Sequence, residues 1–182
     1  MASKLGGWTL VELLIVLAIA GVTAVIAVPA LRDTLIHARL ATASNELAHG
    51  LYVARQTAIT QQRPTSLCAG NAVLGCTGNW ASGEWIVFLD HHHSGQPQAS
   101  TDVLVSRTAH RDVSISGSGP FRTAVVFSPI GISQLPSGAF GAGRLRICIH
   151  SGRSRRATEL VLAASGRVRL ERKEFDGPCP SL

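Results

Sequence analysis

Residues 8–30 read WTLVELLIVLAIAGVTAVIAVPA, an apolar run of the length, about 20 residues, that crosses the hydrocarbon core of a bilayer as a helix. Lys4 precedes it and Arg32 follows it. A secretory signal peptide has a shorter apolar core with a small-residue cleavage site after it, so this segment reads as retained. Its single charge is Glu12. A carboxylate at membrane depth costs roughly 3 kcal/mol on insertion scales, which marks a functional position in need of a partner.

Beyond the membrane run, Leu40, Leu47, Leu51, Ala54 and Ala58 recur at helical spacing, with Arg39, Asn45, Glu46, Arg55 and Gln56 on other faces. The helix is predicted to continue to Gln61 and to stop at Arg63-Pro64, because the residue before a proline is pushed out of helical geometry. Short apolar or β-branched runs separated by Gly, Ser, Pro and Asn then follow: Trp85 to Leu89, Val103 to Ser106, Val113 to Ile115, Ala124 to Phe127, Leu145 to Ile149, Leu160 to Ala163 and Val168 to Leu170. The expected fold class is α+β, a long N-terminal helix packed on an antiparallel sheet or a pair of sheets. The boundaries are 8–30 for the transmembrane, filament-core helix, 31–62 for its amphipathic continuation, and 63–182 for a β-rich globular domain with a basic C-terminal region.

A chain of 182 residues accommodates one such domain beside one span, and hardly a second core. The net charge of +6 and pI near 9.9 favour an acidic partner: nucleic acid, anionic lipid or an acidic protein surface. The four cysteines, Cys68, Cys76, Cys148 and Cys179, lack zinc-site spacing and read as disulfides of an oxidising compartment. Proximity favours Cys68 with Cys76 and Cys148 with Cys179; the other two connectivities stay open.

The segment Lys4-Leu5-Gly6-Gly7, followed by Trp8-Thr9-Leu10-Val11-Glu12 and an apolar helix, is similar to the leader junction of type IV prepilins. The resemblance implies a leader at 1–7, cut after Gly7 by a prepilin peptidase, and methylation of Trp8 as the first mature residue. Phenylalanine is usual there, and tryptophan keeps its aromatic, interface-seeking character. Glu12 would then pair with the terminal amine of a neighbouring subunit as helices bundle in a filament. Pro29 in the helix also fits the family pattern.

The stretch Trp80-Ala81-Ser82-Gly83-Glu84-Trp85-Ile86-Val87-Phe88-Leu89-Asp90 resembles a signature of the minor pilin group that contains FimT and the type II secretion pseudopilin GspH. Trp80, Trp85 and Phe88 are expected in the core. The C-terminal region holds Arg144, Arg146, Arg153, Arg155, Arg156, Arg167, Arg169, Arg172 and Lys173, with only Glu159 and Glu171 as acids up to Lys173. Arginine grips phosphate oxygens in a bidentate way, and Arg167 and Arg169 project from one face of an extended strand. Gly166-Arg167-Val168-Arg169 resembles the GRxR motif of FimT-type minor pilins, a family that binds DNA during natural transformation. Gly166 allows a turn or a close backbone approach, and Arg153, Arg155 and Arg156 extend the patch. Phe175 is the only aromatic nearby for base stacking, so the expected recognition is of the phosphate backbone of double-stranded DNA, without sequence preference.

No nucleophile beside a base, carboxylate pair or phosphate-binding glycine loop has interpretable spacing, so no enzyme activity and no cofactor are expected. His91-His92-His93 reads as a solvated hairpin connection rather than a metal site, because consecutive loop residues rarely converge on one ion. The resemblance implies as partners double-stranded DNA, other major and minor pilins, the prepilin peptidase, and the inner membrane before assembly. It implies a single-pass inner-membrane protein with a periplasmic C-terminal domain, extracellular when incorporated in a pilus. The rival reading is a GspH-like minor pseudopilin of a type II secretion system, or a structural priming minor pilin without DNA binding. Lipid binding by the basic face is disfavoured at this level because the arginines lie far along the chain from the membrane helix. Co-expression with a prepilin peptidase should shorten the wild-type chain and leave Gly7→Val at full mass on a gel; an unprocessed wild type would sink the leader assignment.

Overall fold

The computed structural model describes residues 9–149, 156–175, 177 and 179–182. Helix α1 runs unbroken from Leu10 to Gln61, 52 residues, through Pro29. It stops where the sequence predicts: Gln62 turns left-handed at φ 53° and its N–H caps Ala58 O, just ahead of Arg63-Pro64. Residues 10–35 are exposed all round. From Leu40 onward a stripe of Leu40, Leu47, Leu51, Ala54 and Ala58 is buried, so one helix serves two environments in sequence.

The strands form two antiparallel sheets, which decides between the single-sheet and two-sheet expectations. In chain order they are β1 (Thr65–Asn71), β2 (Gly75–Cys76), β3 (Glu84–Leu89), β4 (Val103–Thr108), β5 (Val113–Gly117), β6 (Ala124–Phe127), β7 (Ser133–Gln134), β8 (Gly143–Ile149), β9 (Arg156–Leu162) and β10 (Val168–Glu174). The first sheet is ordered β4-β3-β1-β6-β7, with β2 paired to β1; the second is β10-β9-β8-β5. Both sheets turn their apolar faces to α1 and share one core: Leu67, Trp85, Val87 and Phe127 from the first, Ile115, Leu145, Ile147 and Leu160 from the second.

The central strand β1, TSLCAGN, is the one long strand the sequence does not announce. It is buried along nearly its whole length, so it carries no apolar–polar alternation, and its small residues give no β-branched signal. The strands at the C-terminal end also run longer than the apolar runs suggest: β10 extends through the charged residues to Glu174, because its pairing with β9 continues to Arg156.

The tryptophan motif belongs to the core. Trp80, Trp85 and Phe88 are all buried, and Trp80 Nε1 donates to Phe121 O at 2.9 Å. Trp85 lies over Gly50 of α1, where a Cβ would stand 2.6 Å from the ring. Both disulfides pair neighbours along the chain, Cys68–Cys76 and Cys148–Cys179. The second fastens the C-terminal tail to β8, and Arg146 Nη1 donates to Pro180 O beside it at 2.6 Å. Gly50→Leu should overpack the Trp85 contact and cost ~1–3 kcal/mol; a thermal melt unchanged from wild type would contradict this packing.

Candidate nucleic-acid interface

The turn between β9 and β10 presents the Gly166–Arg169 motif. Gly166 N–H donates to Ala163 O at 2.9 Å, and Ala163 N–H donates to Arg167 O at 3.0 Å. Gly166 takes φ 77°, a left-handed conformation that glycine adopts without steric cost. A Cβ at this position would lie 2.1 Å from Gly131 O. Arg55 of α1 ties the two turns together, with Nε donating to Gly131 O at 2.9 Å and Nη2 to Ser165 O at 3.3 Å. The close approach that Gly166 permits is therefore toward Gly131. Gly166 is buried and seats the turn, while Arg167 and Arg169 stand exposed beyond it.

Alternation along β10 then divides the cations. Arg169, Glu171 and Lys173 share the outer face of the second sheet; Glu171 pairs with Arg169 at 3.2 Å and with Lys173 at 3.3 Å. Arg144 of β8 lies in the same row, since Val161 is opposite both Arg144 and Arg169. Arg172 falls on the alternate side, where it lines a groove of about 990 Å³ between α1 and β10 together with His37, Leu40 and Arg156. Arg156 opens β9 with Nη1 2.6 Å from His37 Nε2 and Nε 3.5 Å from Glu174. Arg153 and Arg155, like Gly7 and Trp8, lie outside the described residues.

The basic run is thus two clusters rather than one. Arg167 sits at the level of Arg55, and Arg156 at the level of His37, which are about 27 Å apart in helix rise. Arg146 leaves the surface altogether. It is buried, donates through Nε and Nη2 to Glu159 Oε1 at 2.8 and 2.7 Å, and lies 4.9 Å from the centre of the Phe175 ring. Phe175, the only aromatic that the sequence offers near the basic run, is occupied by this guanidinium.

Two contacts were not legible in the sequence. Arg55 and His37 sit on the flanks of the buried helical stripe, where spacing places them on other faces, yet each reaches a domain residue more than seventy positions away. The histidines diverge: His91 Nε2 faces Asp102 at 3.3 Å, whereas His93 Nε2 faces Leu135 O at 3.0 Å. The Ala99 N–H, with His91 as a smaller contributor, holds the Asp102 carboxyl below the ordinary carboxylate range. At the other end of the chain, Glu12 closes a capping box, with Thr9 N–H donating to Glu12 Oε2 at 2.9 Å and Glu12 N–H to Thr9 Oγ1 at 3.2 Å. A carboxylate at this helix N-terminus is favoured by the helix dipole, so part of its compensation comes from its own chain.

Residues 43–166 match the family model described as Type II transport protein GspH. The chain belongs to the GspH family. Two crystal structures of the type IV minor pilin FimU from Pseudomonas aeruginosa (strain PAO1) have a similar fold. One, in space group P21, covers 74% of this chain and 90% of that chain at 21% identity, with a TM-score of 0.57. The other, in space group P65, covers 72% and 92% at 20% identity, with a TM-score of 0.54. No match to a curated protein was found. Family and fold together make this chain a pilin-like subunit of the GspH family, with an N-terminal helix long and apolar enough to cross a membrane. Gly166→Ala should lower stability by ~1–3 kcal/mol through strain at a left-handed position, although both arginines remain; a melting temperature equal to wild type would show that the seat against Gly131 is not needed.

Proposed function

We propose that this subunit is a minor pilin that holds extracellular double-stranded DNA by its phosphates and contributes to DNA uptake in natural transformation as well as to pilus assembly. The observation that carries the reading is the exposed pair Arg167 and Arg169 at the end of the domain farthest from the membrane segment, on a turn fixed to α1 by Arg55. Two guanidinium forks on a rigid turn contact successive phosphates without reading bases. Arg144 and Lys173 lie on the same outer face, and Glu171 between Arg169 and Lys173 moderates the field. The subunit carries out no reaction itself. It awaits assembly in the inner membrane with its domain in the periplasm, after the peptidase has cut at Gly7, and Glu12 receives the amine of a neighbouring Trp8 in the filament.

A second reading, a minor pseudopilin of a type II secretion system, is favoured by the description of the matched family, Type II transport protein GspH. There the same arginines would meet acidic surfaces of neighbouring subunits. Mobility shifts with the detergent-solubilised full chain separate the two. Arg167→Gln combined with Arg169→Gln should remove most binding and flatten the slope of log K against log salt by about 0.9 for each phosphate no longer neutralised. Glu171→Gln should tighten it. Equal affinity of wild type and the double variant would overturn DNA binding at this turn, and a secretion defect with normal competence in the same strains would establish the second reading.

A further inference from the structure

The lower end of the domain lies against the membrane exit of α1. The apolar run ends at Leu31, and Arg32 is the first charge beyond it. His37 follows about 7.5 Å higher along the helix and Arg39 about 10.5 Å higher. The polar headgroup zone on each side of a bilayer is about 5–7 Å deep, so these residues stand in it or just above it.

The domain brings its own cations to the same level. Arg156, 119 positions from His37 in sequence, reaches it at 2.6 Å. Arg39 pairs with Asp112 at 2.6 Å, which holds the turn between β4 and β5, with its exposed Arg111, against the same stretch of helix. Arg172 lies two residues before the end of β10 and shares with Arg156 and His37 the groove beside α1, whose wall includes Leu40 and Leu170. Among the described residues the acids at this level are Asp33, Asp112 and Glu174, and two of them are already engaged, Asp112 by Arg39 and Glu174 by Arg156. Sequence distance alone separates the C-terminal arginines from the membrane; the fold removes that distance.

We propose that the base of the domain is a docking face for anionic phospholipid of the leaflet on the domain side, with headgroup phosphates held by Arg32, Arg111, Arg156 and Arg172. Charge complementarity and position commit the face to lipid. It borders the span that anchors the chain, and any phosphate ligand arriving there must share the space with headgroups. Such docking would hold the domain upright on the membrane before assembly and would be given up when the subunit leaves the bilayer. The proposal does not depend on DNA binding, whose arginines sit at the opposite end.

The test uses the full chain reconstituted in vesicles of equimolar phosphatidylcholine and phosphatidylglycerol. Electron spin resonance measures the motionally restricted fraction of a spin-labelled phosphatidylglycerol against that of a spin-labelled phosphatidylcholine. Wild type should prefer the anionic label by about fivefold, the contribution of roughly one basic residue at a membrane surface. The preference should fall in high salt, vanish in the Arg32→Gln, Arg111→Gln, Arg156→Gln variant, and persist in Arg167→Gln with Arg169→Gln. A melting curve of the triple variant that matches wild type establishes that the loss is not unfolding; if the triple variant melts early, Arg111→Gln alone must still lower the preference. No preference in wild type, or one that survives the substitutions at the base, would overturn the proposal.

Discussion

The stripe of Leu40, Leu47, Leu51, Ala54 and Ala58 on α1 is the contact on which the rest of the molecule depends. Both sheets close their apolar faces against it, and neither has another layer that could cover those faces within the described residues. Because the same helix continues without a break into the apolar N-terminal half, burial of the stripe also fixes the domain relative to the membrane segment. Small residues make the contact close: Ala54 and Ala58 are fully buried, and Gly50 admits the Trp85 ring. The domain is therefore an extension of its anchor rather than a separate body on a linker.

That arrangement gives the basic residues their meaning. A strand has two faces and two ends, and β10 uses all four positions. Its direction carries cations from the level of Arg55 to the level of His37, and its pleat sends Arg169 and Lys173 to one side and Arg172 to the other. Neutralisation is uneven as well. Arg146 is spent on a buried ion pair with Glu159, for which hydrogen bonds at 2.7 and 2.8 Å offset the desolvation of both groups, whereas Arg167 and Arg169 keep exposed guanidiniums.

Much of the fold was legible because its signals are local. The apolar run, the helical spacing up to Gln61, the proline stop and most strands come from periodicity within ten or twenty residues, and each disulfide joins two cysteines that follow one another in the sequence. The central strand β1 escaped because burial on both faces erases alternation. At the candidate site, the motif Gly166–Arg169 was legible as a turn followed by paired arginines, but its partners were not. The role of Gly166 is decided by Gly131 and Arg55, and that of Arg156 by His37, contacts between segments far apart in sequence. Such contacts leave no periodic trace, and a count of arginines cannot say which of them, like Arg146, are buried.

The unbroken passage of α1 from lipid into the domain makes it a lever with its fulcrum at the membrane surface. From Leu31 to Arg55 the helix rises about 36 Å, and Arg55 grips the turn that carries Arg167. A change in membrane tilt of about 20°, within the range that spanning helices adopt, sweeps that turn sideways by roughly 12 Å. The reach of the distal arginines is thus set by the angle at which the helix stands in its surroundings, and repacking of the anchor moves them without any change within the domain.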